Sequence, residues 1–98
     1  MNIQAMMKQA QSLQRDMLNA KKEIDAMSFV GESSLVKVIV SGDKKVTKVE
    51  ISNKDTLESD DLDMLEDMIM VALNDAFNKV DTETEKKMGK FANIPGLF

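Results

Sequence analysis

The sequence predicts an α+β fold in the order α-β-β-β-α: a long N-terminal helix, a small antiparallel sheet and a long C-terminal helix. Three observations predict it. Apolar residues recur every three or four positions over residues 3–27, and β-branched residues alternate with polar ones over 35–51. Residues 60–90 then hold an apolar stretch with an acidic start and a basic end. At 98 residues the expectation is a single domain spanning 1–98. A domain of that size buries only a modest share of its surface.

The first helix rests on a stripe. Ile3, Met6, Ala10, Leu13, Met17, Ala20, Ile24 and Met27 follow a 3-4-3-4 spacing for four heptads, unbroken by Gly or Pro. About 25 helical residues would reach nearly 40 Å at 1.5 Å per residue. A compact chain of this length has a radius of gyration of only about 13 Å. The helix must therefore project from the body or lie along another helix. Ala10 and Ala20 are small enough to let a partner helix approach closely.

The segments Leu35-Val36-Lys37-Val38-Ile39-Val40 and Val46-Thr47-Lys48-Val49-Glu50-Ile51 read as two strands of a hairpin. A two-residue Gly42-Asp43 turn would set Lys37 opposite Lys48. A four-residue loop, Gly42 to Lys45, sets Val38 opposite Val49, Val36 opposite Ile51 and Lys37 opposite Glu50. Opposed like charges destabilise an antiparallel pair, whereas apolar and opposite-charge pairs support it. The longer loop is expected, which gives one apolar face of Val36, Val38, Val40, Thr47, Val49 and Ile51. Phe29-Val30, before Gly31, reads as a short additional strand.

The second helix is expected from about Asp60 to Lys90. Asp60, Asp61 and Asp63 sit where the helix dipole favours anions, and Lys86, Lys87 and Lys90 where it favours cations. Met64 to Leu73 is apolar almost all round, which predicts burial on more than one side. Beyond Val80 the segment turns polar and is expected to extend from the core. The helix cannot pass Pro95, so residues 92–98 are expected to form a flexible tail.

Composition closes several functional classes. The chain has no Cys and no His. That removes disulfides, the usual zinc sites and Ser–His or Cys–His nucleophile pairs. Asp60, Asp61, Asp63, Glu66 and Asp67 lack the spaced ligands and loop glycine of a calcium-binding hand. No glycine loop is built to cradle phosphate. The expectation is no enzyme, no metal, no cofactor and no small-molecule substrate. The N-terminus shows no basic-then-apolar leader, and the longest apolar run, Met68 to Leu73, is six residues. A cytoplasmic protein with no membrane partner is therefore expected.

Net charge is −4, but it is unevenly spread. Residues 54–78 carry one basic and eight acidic side chains, while each of the other segments is slightly basic. Nucleic-acid binding depends on local basic surface rather than on total charge. Lys8, Arg15 and Lys22 are spaced by seven and share one face of the first helix. With Lys21, and with Lys79, Lys86, Lys87 and Lys90 on the second helix, they are the candidate DNA-contacting residues. The chain has no Trp or Tyr on which to stack single strands, so the duplex backbone is the expected target.

Met6-Met7-Lys8-Gln9-Ala10-Gln11, Val30-Gly31-Glu32-Ser33 and Leu35-Val36-Lys37-Val38 resemble the YbaB/EbfC family in order and spacing. So do Val49-Glu50-Ile51, Met64-Leu65-Glu66-Asp67, Leu73-Asn74-Asp75-Ala76 and Pro95-Gly96-Leu97-Phe98. The resemblance covers almost the whole chain. It departs where the family has a Gly-rich turn, since Ser33-Ser34 here leads straight into the next strand. The resemblance implies a tweezer-like homodimer with projecting paired helices. It also implies a nucleoid-associated protein that binds duplex DNA, with links to gene expression, recombination and repair. The alternative from the residues alone is a dimeric protein–protein adaptor whose DNA affinity is weak or incidental.

Overall fold

The computed structural model describes residues 2–91. The expected tail, 92–98, lies outside the described residues. The element order is α1 (Ile3–Asp25), β1 (Ser28–Ser33), β2 (Val36–Ser41), β3 (Val46–Ile51) and α2 (Leu62–Met88). Single 3-10 turns at Ser59–Asp61 and Gly89–Phe91 extend α2 at both ends. The α-β-β-β-α order is therefore as the sequence predicts.

Asn2 starts α1. Its side-chain oxygen accepts from the backbone N–H of Gln4 at 3.0 Å and of Ala5 at 3.4 Å, satisfying donors that a helix start leaves open. At the far end Lys21 pairs with Asp25 at 3.0 Å, one turn apart. At the start of α2, Asp61 accepts from the backbone N–H of Glu58 at 3.0 Å.

The strands form one antiparallel sheet in the order β1-β2-β3. The β2–β3 register pairs Val36 with Ile51, Lys37 with Glu50 and Val38 with Val49, as expected for the four-residue loop. A bulge follows: Val40 pairs with Val46, leaving Thr47 out of the ladder, with its hydroxyl donating to the Ile39 carbonyl at 3.1 Å. β1 is longer than the Phe29-Val30 pair suggests, because Gly31 does not end it. Gly31 pairs with Val38, and the strand runs on to Ser33. The β1–β2 connection is only Ser34-Leu35, and Ser34 takes the positive φ of 50° that a glycine-rich turn would supply without strain.

α2 lies across β1 and β2. Val36, Val38 and Val40 are fully buried against Ala72, Ala76 and Val80. Each such valine contributes on the order of 1.5–3 kcal/mol by burial. The alanines bring the helix close to the sheet, and Gly31 allows closer approach still. A Cβ at that position would lie 2.0 Å from the Ala72 carbonyl oxygen. Gly42 does the same for α1: a Cβ there would lie 1.7 Å from the Ile24 carbonyl oxygen, and its N–H donates to the Met27 carbonyl at 3.0 Å. The β2–β3 turn is thus wedged against the end of α1, which fixes how the helix leaves the body.

Cover is incomplete. Leu62, Met64, Met70 and Val71 of α2 stay about half exposed, so this chain alone buries α2 on one side rather than several. Val46 and Val49 of β3 are also exposed, since α2 does not reach over the third strand. The chain measures 71 × 19 × 14 Å, with a radius of gyration of 19.8 Å against about 13 Å for a compact chain. The projection foreseen from the length of α1 is present.

Candidate nucleic-acid interface

α1 enters the sheet at its C-terminus and α2 leaves it in the opposite direction, so the two helices run side by side. Glu23 reaches Lys87 at 3.5 Å between them. A cleft of about 500 Å³ separates them, walled by Met17, Leu18 and Ile24 of α1, Thr84 and Met88 of α2, and the Gly42–Lys44 turn. The heptad stripe is therefore covered only in part. Ile24 is buried and Met17 and Ala20 are half-buried, whereas Ile3 is 72% exposed and Met6 50%.

With about 3.6 residues per turn, positions 8, 15 and 22 fall on the side of α1 opposite that stripe. Lys8, Arg15 and Lys22 are all exposed, and no ion pair engages them among the described residues. Gln4, Gln11 and Asn19 share their face, and no acidic residue of α1 falls on it. The result is a basic and amide-bearing strip about 20 Å long from residue 8 to residue 22. Its spacing is local, which is why the sequence shows it. The amides are the part that sequence reasoning missed, although Gln4 and Gln11 carry the same seven-residue spacing.

The other candidates divide. Lys86 is exposed near the end of α2, without an ion pair among the described residues. Lys90 is exposed just beyond it, its ammonium 5.1 Å from the Phe91 ring centre. Lys21 is held by Asp25, and Lys87 lies 3.5 Å from Glu23 and 3.9 Å from Glu83. Lys79 sits on the body rather than on the projecting part. Its ammonium donates to the Val30 carbonyl at 2.7 Å and pairs with Asp75 at 3.4 Å. The structure thus brings Lys8, Arg15 and Lys22 together as one strip and sets Lys79 apart from it.

The acidic residues are remote from this strip. Asp60, Asp61, Asp63, Glu66 and Asp67 gather at the start of α2. Along that helix, Asp63 and Lys86 are separated by roughly 35 Å at 1.5 Å per residue. Screening at physiological salt acts over about 8 Å. The net charge of −4 therefore leaves the field at the helical arm locally positive.

A small α+β body carrying one helical arm with a basic outer face is the kind of architecture these elements define. The family model of the YbaB/EbfC DNA-binding family matches residues 1–94, and the chain belongs to that family. A nucleoid-associated protein of Ligilactobacillus salivarius is 43% identical over 100 residues, covering 99% of this chain and 95% of that protein. One of Streptococcus pneumoniae is 44% identical over 94 residues, covering 94% of each. The crystal structure of an uncharacterized Helicobacter pylori protein shares the fold with a TM-score of 0.75 at 14% identity. That match covers 93% of this chain and 97% of its counterpart. The family is a DNA-binding one rather than a family of enzymes. Among the described residues no helix is long and apolar enough to cross a membrane.

Proposed function

We propose that this protein is a non-catalytic, nucleoid-associated protein of the cytoplasm that binds duplex DNA as a homodimer. Binding runs mainly through phosphate contacts from the helical arms. The observation that carries this reading is the strip of Lys8, Arg15 and Lys22 on the exposed side of a projecting helix, free of acidic neighbours. The names of the curated relatives agree with it. Contacts to phosphates position a protein without reading bases, so sequence preference should be slight, and effects on gene expression, recombination or repair would follow from DNA occupancy.

The homodimer is supported by what one chain leaves bare. Leu62, Met64, Met70 and Val71 on α2, with Val46 and Val49 on β3, form far more exposed apolar surface than scattered single residues would. Two copies also double the basic groups available to one duplex. Light scattering at micromolar concentration should give twice the chain mass.

Replacing Lys8, Arg15 and Lys22 together by Ala should weaken binding to every duplex alike, read by fluorescence anisotropy. Replacing Lys44 and Lys45 on the β2–β3 loop is the control and should matter less, since Lys44 is engaged with Asp81 at 2.8 Å. If the loop pair dominates and the helix triple is silent, the arm is not the DNA surface. The exposed apolar residues Ile3, Met6 and Met7 favour a second reading, in which the arm clasps another protein. That reading prevails if no duplex binds even at low salt.

A further inference from the structure

The two edges of the sheet are treated differently. On β1, the edge groups that point away from β2 are engaged by α2: the N–H of Glu32 donates to Asp75 at 3.2 Å, and the carbonyl of Val30 accepts from Lys79 at 2.7 Å. On β3, the outer edge has no partner among the described residues. An edge left open is a template for another strand.

The pattern of the ladder shows which groups are open. Ser52 donates to the Leu35 carbonyl at 2.8 Å, so Ser52 faces β2. Antiparallel partners alternate, hence Glu50 and Lys48 also face β2, and the N–H and C=O of Val49 and Ile51 point outward.

We propose that β3 pairs antiparallel with β3 of a second copy across a two-fold axis at Val49, making one six-stranded sheet. The inference rests on the homodimer reading above and names its seam. Centred on Val49, the pairing exchanges the outward N–H and C=O groups of the two Val49 residues. It sets Lys48 opposite Glu50 of the other copy at both symmetry-related places. Centring on Lys48 would oppose two lysines and centring on Glu50 two glutamates, and opposed like charges destabilise a pair. Lys48 and Glu50 already lie 2.7 Å apart within one strand, so the strip is self-complementary. Because this axis is perpendicular to the sheet, both α2 helices lie on the same face. Val49 is 48% exposed and Val46 46%, and both then fall in the gap between the two helices. Charged residues on an edge normally discourage pairing, but here the charges cancel across the axis.

The chain has no cysteine, so a single introduced thiol reports the seam cleanly. In this register the two Val49 Cα atoms would sit about 5.5 Å apart, inside the range of about 4.4–6.8 Å that a disulfide spans. Full-length Val49→Cys, oxidised with copper-phenanthroline at micromolar concentration, should run almost wholly as a covalent dimer on a non-reducing gel. Lys48→Cys, Lys45→Cys and Met64→Cys should cross-link at least tenfold more slowly. Reduced Val49→Cys should scatter light as a dimer, which shows that the substitution is tolerated. A native dimer in which Met64→Cys or Lys48→Cys closes and Val49→Cys does not would overturn the seam while leaving the dimer intact. Equal rates for Val49→Cys and Lys45→Cys would overturn it as random collision. A monomeric native protein would remove both the seam and the homodimer.

Discussion

Replacing Gly31 by Ala tests how α2 is held on the sheet. A Cβ at that position would stand 2.0 Å from the Ala72 carbonyl oxygen, 2.6 Å from the Ala76 nitrogen and 2.8 Å from the Ala76 Cβ. Ordinary carbon–oxygen contacts begin near 3.3 Å, so α2 would have to retreat by about 1 Å. All the obstructing atoms are backbone or Cβ, so no rotamer change relieves them. A gap of that size forfeits a quarter to a half of the dispersion energy between facing atoms. The facing atoms here include those of Val36, Val38, Val40, Ala72, Ala76 and Val80. Overpacking typically costs about 1–3 kcal/mol, and this case should lie at or above 3 kcal/mol. For a domain of this size each kcal/mol shifts Tm by about 4–8 °C, so a fall of roughly 12 °C or more is expected. Far-UV circular dichroism at fixed protein concentration measures it. Gly89→Ala is the matched control: nothing lies within 4 Å, and φ −58° with ψ −33° is helical. It should raise stability by about 0.5–1 kcal/mol. A Gly31→Ala protein melting within a few degrees of the parent would refute this account of helix–sheet packing.

Ser34 carries φ 50° in the β1–β2 turn, so Ser34→Val should lower stability by about 1–2 kcal/mol while Ser34→Gly should not lower it; urea melts of the two variants decide this. Lys44→Ala removes the 2.8 Å pair with Asp81, but both side chains are more than half exposed, so chemical denaturation should show a loss under about 1 kcal/mol. Stability against pH should be flat from pH 6 to 8, because the chain has no His. The Ser41 hydroxyl beside Asp43 and the Lys48 ammonium beside Glu50 hold these carboxyls below their ordinary values of 3.8 and 4.5. A depressed carboxyl supports the fold above its unfolded-state value and loses that support as pH falls through its folded value. Tm should therefore begin to fall only below about pH 4.5, and a fall between pH 8 and 6 would contradict the assignment.

The sequence made some features legible because their cause is local. The β2–β3 register follows from Lys37, Lys48 and Glu50 alone, since one loop length opposes like charges and the other does not. The basic strip follows from seven-residue spacing on an uninterrupted helix. Other features arise from contacts distant in sequence. Gly31 reads locally as the end of a strand, yet it is there because Ala72 and Ala76 pass over it. Gly42 reads as the turn residue, yet the positive φ of 64° falls on Lys44, and Gly42 is required by the carbonyl of Ile24. Lys79 resembles the other basic residues of α2 until the fold sets it 2.7 Å from the Val30 carbonyl. The apolar run Met64 to Leu73 implies burial all round, and its uncovered part is surface that a second copy would fill.

The most direct test of the DNA-binding account is the salt dependence of duplex affinity for the native protein. Each phosphate neutralised contributes a slope of about −0.9 in log K against log salt. Three contacts from one arm or six from two give slopes of about −3 to −5. The account predicts a straight line in that range over 50–200 mM salt, on duplexes of unrelated sequence alike, with the Lys8, Arg15 and Lys22 triple replacement flattening it. A slope near zero, or a triple replacement that leaves the slope unchanged, would contradict it.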